Sequence, residues 1–358
     1  MGLMVPRVGA AKRPLSLLSL VVLAATIVAC APTAPPLPPA PAVVAEPIQP
    51  LSFPRDDGPH EMLTEWWYYT GHLATSDGAR FGFEYVVFQA VRGATPPAYV
   101  AHFAVTDHAR QSFRYDQRYQ PVTEIYPGER FDLRVEDWLM RGAGGTDHLS
   151  ARTDDYALTL ETHSLKPPVQ HDGDGYISFG VAGGSYYYSR TRLEATGTLV
   201  DHGVPREVTG EVWFDHQWGN FLVVGGGGWD WYSAHLDDGS ELTVSVVRDG
   251  QADVGLAYGT YVRPNGEVIH LPADAFTATP LDTWTSPHSG ATYPSGWRIE
   301  VRDPALSLRM IPVVQDQELD ARETTGAIYW EGEVVVDGSG PNGALSGLGY
   351  VELTGYAD

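Results

Sequence analysis

Cysteine and lysine are almost missing from this 358-residue chain. Its one cysteine is Cys30, and of its two lysines, Lys12 and Lys166, only the second lies beyond the first thirty residues. A lone thiol excludes an internal disulfide framework, and once Cys30 is modified no cysteine nucleophile or cysteine-ligated zinc site remains. Long apolar runs are equally scarce. One covers Leu15 to Val28, too short and wrongly flanked for a spanning helix. After Cys30 no stretch longer than three turns keeps a helical period. Positive charge is in deficit: 23 Lys and Arg face 45 Asp and Glu, and residues 1–29 hold three of the bases and none of the acids. The remainder carries 20 bases against 45 acids, a net charge of about −25. Such a surface repels phosphate backbones, so no nucleic-acid partner is expected, and it disfavours broad adhesion to anionic lipid headgroups.

What is present begins with an export signal. Arg7, Lys12 and Arg13 precede the apolar run, which ends in Ile27-Val28-Ala29-Cys30. This resembles the lipobox of bacterial lipoproteins, in which the cysteine takes a diacylglyceryl group and becomes the new N-terminus. Residues 1–29 are then a signal peptide. Residues 30–50 are the acylated cysteine and a tether with eight prolines, semi-rigid and unable to pack. The expected location is lipid-anchored after export across the inner membrane. Ala31 after the cysteine favours the outer membrane, facing the periplasm, and the acyl chains supply the membrane attachment that the charge denies.

The remaining 308 or so residues suit two domains. Glycine, proline, asparagine and aspartate punctuate the chain about every ten residues. Between them lie short runs rich in Val, Tyr, Trp, Phe and Thr, and stretches such as 158–162 and 242–246 alternate strictly. Hairpin signals recur at Asp77-Gly78, Asp238-Gly239, Asn265-Gly266 and Asn342-Gly343. Residues 66–73 and 229–236 also match at an offset of 163: Trp66 with Trp229, Tyr69 with Tyr232, His72 with His235, Leu73 with Leu236. A second pair of matching segments closes each half, so the chain reads as a duplication. The expected fold is all-β, two tandem antiparallel barrels or half-barrels of lipocalin-like type. The expected domains are 51–222 and 223–358, meeting near the glycine run 225–228.

Six ordered motifs carry a family resemblance: the segment from Glu65 to Leu73, Asp215-His216-Gln217-Trp218-Gly219, Gly228-Trp229-Asp230-Trp231, the segment from Tyr293 to Trp297, Tyr329-Trp330-Glu331-Gly332, and the segment from Gly349 to Tyr356. Together they resemble the carotenoid hydratase-like (hydroxyneurosporene synthase-like) proteins, with their branch of secreted proteins, over nearly the whole exported chain. The resemblance implies two lipocalin-like barrels. At the carotenoid end it implies addition of water to a terminal isoprenoid double bond, and in the secreted branch an association with ABC-type permeases. A fold does not fix a reaction, so the residues must carry it.

Hydrating an alkene requires a strong proton donor, aromatic faces to steady the tertiary cation, and one water. In the hydratase branch a histidine, a tryptophan two places on and a later aspartate are implicated. His216 and Trp218 match the pair, Asp230 is the counterpart of the aspartate, and Asp215 is a further catalytic candidate. Glu65, Trp66, Trp67, Tyr69, Trp229, Trp231 and Tyr232 are candidates for lining a hydrophobic small-molecule site. Each also has a plain structural use, as a satisfied buried polar group or ordinary aromatic packing. Strand parity separates some of them: if 211–218 is extended, His216 and Trp218 share one face and Asp215 the other. Glu84 and Gln89 interrupt an apolar strand on opposite faces, so one of them is expected to enter a lumen. Tyr186 to Tyr188 reads as strand packing and His171 to Gly175 as a solvated turn. No metal-ligand spacing and no Gly-x-Ser-x-Gly occurs, so no metal and no cofactor is expected. The open readings are a hydrophobic-ligand binder, an acid-catalysed hydratase, and an accessory lipoprotein of an ABC-type transporter.

Overall fold

The computed structural model describes residues 48–91, 96–180, 183–220, 227–250 and 253–357. Cys30, the signal peptide, most of the tether and two of the four glycines at 225–228 lie outside the described residues. Two antiparallel sheets make up nearly everything else. The first contains β1 (Thr64–Thr75), β2 (Arg80–Ala90), β3 (Ala98–Asp107), β4 (Ser112–Pro121), β5 (Phe131–Val135), β6 (Trp138–Ala143), β7 (Thr146–Arg152), β8 (Tyr156–Ser164), β9 (Val169–Gln170), β10 (Tyr176–Ser178), β11 (Gly184–Asp201) and β12 (Val204–Gly219). The second contains β13 (Trp229–Leu236), β14 (Glu241–Arg248), β15 (Val254–Val262), β16 (Val268–Pro272), β17 (Phe276–Thr285), β18 (Thr292–Val301), β19 (Leu306–Pro312), β20 (Glu318–Ala321), β21 (Ala327–Gly340) and β22 (Gly343–Thr354).

The strand order of the first sheet is β4-β3-β2-β1-β12-β11-β8-β7-β6-β5, and that of the second is β16-β15-β14-β13-β22-β21-β19-β18-β17. Aligned at β1 and β13, the two orders match strand for strand from β4 to β6, and β5 has no counterpart at the end of the second. The sequence repeat is therefore a structural one. The Asp-Gly turns at Gly78 and Gly239, which follow the repeated strands, have φ of 88° and 83°, a region glycine enters without strain. In the first sheet the outer strands approach to close most of a barrel. The Glu136 backbone N–H donates to Gln120 Oε1 at 2.6 Å, and Arg118 pairs with Glu136 at 3.1 Å.

The repeated strands β1 and β13 bury both faces by different means. On β1, Trp67, Tyr69 and Leu73 join a core with Phe83, Tyr85, Phe103, Trp138 and Phe214 inside the first barrel. On β13, Tyr232, Ala234 and Leu236 do the same inside the second, with Trp297, Met310 and Trp330. The alternate residues point outward, and there the two sheets pack on each other. Tyr68 meets Trp231 edge to face at 5.5 Å, and the repeat-equivalent His72 and His235 meet at 5.8 Å. Side chains stitch this seam. Lys166 Nζ donates to Glu241 Oε2 at 2.7 Å, and Thr106 Oγ1 to Gln317 Oε1 at 2.7 Å. His171 belongs to it as well: buried completely, with Nδ1 2.9 Å from Thr260 Oγ1 and Nε2 2.6 Å from Ser189 Oγ. The turn expected to be solvated thus inserts its histidine between the sheets, and burial pushes that imidazole pKa down to about 3.

Candidate functional site

An aromatic cleft lies at one end of the seam. Trp66, Tyr68 and Phe88 line it from β1 and β2, Tyr187 from β11, and Trp229 and Trp231 from β13. The lining is mostly apolar, and the cavity is small, about 80 Å³. Two carboxyls reach it from opposite sheets, Asp215 on β12 and Glu352 on β22. The cleft therefore lies between the barrels, while the interior of the first is filled by its aromatic core.

The two acids are held differently. Asp215 is saturated by side-chain donors: Tyr187 Oη at 2.7 Å on Oδ2, and Trp213 Nε1 at 2.7 Å and the Ser189 hydroxyl on Oδ1. Burial raises its pKa to about 7 against the pull of those donors. Trp231 Nε1 in turn donates to Tyr187 Oη at 3.1 Å, so the network crosses the seam. Glu352 takes one donor, Trp229 Nε1, at 2.8 Å on Oε2. Burial also pushes Glu352 up to about 7, against that bond and helped by the nearby charges of Asp215 and Asp230.

Behind Glu352 sit two more acids. Glu331 is its direct cross-strand neighbour in the β21–β22 register. Glu331 Oε1 accepts from Tyr68 Oη at 2.7 Å, while its Oε2 and both oxygens of Glu84 have no hydrogen-bond partner among the described residues. Burial first, and then the mutual repulsion of the three glutamates, raises Glu84 and Glu331 well above the ordinary range. None of Glu84, Glu331, Glu352 and Asp215 forms an ion pair among the described residues. Like charges directly opposite each other in a sheet repel, and that repulsion among the glutamates, added to burial, pushes these acids toward their protonated forms.

The site residues read from the sequence fall in three places. Trp66, Trp229, Trp231 and Asp215 line the cleft. Trp67, Tyr69, His216 and Trp218 face the first barrel's interior. Glu65 joins them there: its Oε1 lies 2.7 Å from both His60 Nδ1 and His216 Nε2, and His60 stacks on Trp218 at 4.0 Å. Asp230 and Tyr232 face the second barrel's interior. Asp230 is paired with Arg248 there and accepts Tyr356 Oη at 3.0 Å on each oxygen. The structure therefore does not bring Asp230, Asp215 and His216 together as one catalytic group. β12 and β1 pair without a bulge over these residues, so alternation sends Asp215 and His216 to opposite faces. Cys30 lies outside the described residues.

A sequence model of the AttH-like family matches residues 44–356. The chain belongs to the AttH-like family. Among solved structures, a candidate AttH from Nitrosomonas europaea is 30% identical, with 87% of this chain and 98% of that one covered at a TM-score of 0.79. Kievitone hydratase from Nectria haematococca shares the fold at a TM-score of 0.70 and 16% identity, over 85% of this chain and 93% of that one. CghA, solved with Sch210972, shares it at 0.58 and 12%, over 87% and 94%. No curated protein matches the chain significantly.

In this AttH-like chain the seam acids missing from the sequence reading are Glu331 and Glu352, of which Glu352 lines the cleft. Both stand inside motifs that carry the family resemblance. The signal was an acid within a strand of apolar neighbours, Ile328-Tyr-Trp-Glu-Gly-Glu-Val and Gly349-Tyr-Val-Glu-Leu. Of the pair on β2, Gln89 enters the first barrel, where its Nε2 donates to Glu65 Oε2 at 2.9 Å, and Glu84 enters the seam. Tyr187, expected as packing, is the residue that ties Asp215 to Trp231.

Proposed function

We propose that this AttH-like protein binds the unsaturated end of a hydrophobic small molecule in the inter-sheet cleft and adds water across its double bond, with Glu352 as the acid. The observation that carries the reading is Glu352 itself: a carboxyl without a cation partner among the described residues, in an aromatic cleft, with a pKa near neutrality. A general acid works best when its pKa lies near the working pH. The Glu352 proton passes to one alkene carbon and the more substituted carbon becomes cationic. The faces of Trp229, Trp231 and Tyr68 offset that charge. Water adds to the cation, and the proton it loses returns to the Glu352 carboxylate. The fold shared with kievitone hydratase supports this reading only as far as a fold can. Acylation of Cys30 is part of the proposal and would hold the cleft at a membrane surface, where apolar ligands concentrate.

The test uses the full chain carrying Cys30→Ala, incubated with kievitone and, separately, with an acyclic carotenoid in ¹⁸O-water. Mass spectrometry should find a product that has gained one labelled water, and Glu352→Gln should abolish it. A ligand that co-purifies in the cleft but never gains water would sink the hydratase reading and leave a binding protein.

A further inference from the structure

We infer that His60, Glu65 and His216 form a binding site for one divalent transition-metal ion, Zn²⁺ by ligand type, where the segment leading into β1 meets the first barrel. The three residues come from the segment leading into β1, from β1 and from β12, so no short spacing announces them. Their ligand atoms converge: Glu65 Oε1 lies 2.7 Å from His60 Nδ1 and 2.7 Å from His216 Nε2, and all three lie within 4.8 Å of one another. Two imidazoles and a carboxylate are the donor set of three-ligand zinc sites, which leave a fourth position to an outside ligand. With Zn–N and Zn–O distances near 2.1 Å, tetrahedral ligand atoms stand about 3.4 Å apart, so each contact needs to open by only about 0.7 Å.

The surroundings are those of ligands fixed in place. His60 stacks on Trp218 at 4.0 Å and 4°, and His216 on Trp67 at 4.6 Å. The second carboxylate oxygen of Glu65 is held by the His60 backbone N–H at 2.8 Å and Gln89 Nε2 at 2.9 Å, which leaves Oε1 to the two histidines. The outer nitrogen of His60 faces Asp56 Oδ1 at 3.4 Å, the carboxylate–histidine arrangement that orients metal-bound imidazoles. His216 is completely buried and turns Nε2 into the cluster, and its Nδ1 has no hydrogen-bond partner among the described residues, so no competing contact holds the ring in another orientation. A bound ion replaces the hydrogen bonds within the cluster, with His60 binding through Nδ1 and His216 through Nε2, and it ties the lead-in segment to two barrel strands. The site faces away from the seam, so it stands or falls independently of the Glu352 chemistry.

The experiment is equilibrium dialysis of the full chain carrying Cys30→Ala, stripped with a chelator, against Zn²⁺, with Co²⁺ as a spectroscopic probe. One Zn²⁺ per chain is expected, with visible Co²⁺ bands that Zn²⁺ displaces and a higher Tm in the loaded protein. His60→Ala, at the partly exposed edge of the cluster, should weaken binding at least tenfold and remove the Tm rise. Glu65→Gln, which keeps the side-chain shape, should do the same, and His288→Ala, at an exposed surface histidine, should change neither. Less than one Zn²⁺ per chain at saturation overturns the inference, as does equal affinity in His60→Ala and its parent, which means adventitious surface binding only.

Discussion

Glu331 and Glu333 stand two residues apart on one face of β21, both buried in the seam, and their states are opposite. Glu333 Oε1 lies 2.7 Å from His72 Nδ1, and its Oε2 lies 2.7 Å from His108 Nε2. Burial alone would raise its pKa, but the two histidines outweigh burial and hold it below the ordinary range. Glu331 has only the Tyr68 hydroxyl, with Glu84 and Glu352 for neighbours, and burial drives it up. At one end of the seam the acids have basic partners: Glu333 lies between His72 and His108, and Glu241 pairs with Lys166 and Arg192. At the other end no cation is paired with them among the described residues, and burial pushes them toward the protonated form. The first end can only hold the sheets together. The second sets acids with raised pKa values beside an aromatic cleft, and that difference is the physical ground for the proposed chemistry.

The strongest way to break the comparison is Glu352→Gln. The amide keeps the shape and the Trp229 contact but has no acidic proton. Hydration should fall by about 10²–10⁴-fold, the usual contribution of a general acid, with the Tm within a few degrees of the parent. Unchanged turnover would show that the protonated end of the seam is as structural as the other.

Next comes Glu333→Gln, which removes the acid from between two histidines. Breaking a buried pair costs about 3–5 kcal/mol, less here because His108 is partly exposed, so a loss of about 3 kcal/mol is expected in denaturant unfolding. The wild-type pH dependence has a definite sign at each end. Glu333, with its pKa lowered on folding, contributes stability that is present above its unfolded pKa and lost as the pH falls through the folded one. Glu84, with its pKa raised, contributes stability that is full below its unfolded value and declines as the pH rises toward the folded one. Glu84→Gln resembles the neutral acid at every pH. It should leave acid stability nearly unchanged and gain about 1–3 kcal/mol at pH 8–9, where the wild type has to bury a charge or release it. Equal stability of the two at alkaline pH would show Glu84 to be solvated.

How far these states were legible in the sequence follows from where each partner comes from. The β period, the Asp-Gly turns and the repeat at 66–73 and 229–236 are local, and they lead to two equivalent sheets. Parity is local too, and it separated Asp215 from His216 before any partner was known. The contrast between Glu331 and Glu333 could not be read that way. Both look like solvent-facing acids on an alternating strand, and what distinguishes them, His72, His108, Tyr68 and Glu84, lies more than two hundred residues earlier in the other sheet. Asp230 shows the same limit from the other side. Its neighbours Trp229 and Trp231 line the cleft, but one step of alternation turns Asp230 toward Arg248 and Tyr356 inside the second barrel. His60 escaped because it precedes the strands and carries no periodicity.

The smallest effect is the most specific. Among the described residues Trp229 Nε1 is the one donor on Glu352 Oε2, and by stabilising the carboxylate it holds the Glu352 pKa lower than burial alone would set it. Trp229→Phe keeps an aromatic wall and removes the donor. The Glu352 pKa should therefore rise. Because the acid acts in its protonated form, the alkaline limb of the activity profile should move to higher pH, while the rate on the acid plateau changes by less than about tenfold. A carboxylate acting as a base would be needed deprotonated, and the same substitution would then move the acidic limb upward instead. The direction of that one shift thus separates a proton donor from a proton acceptor at the cleft, and it does so without removing any group that titrates.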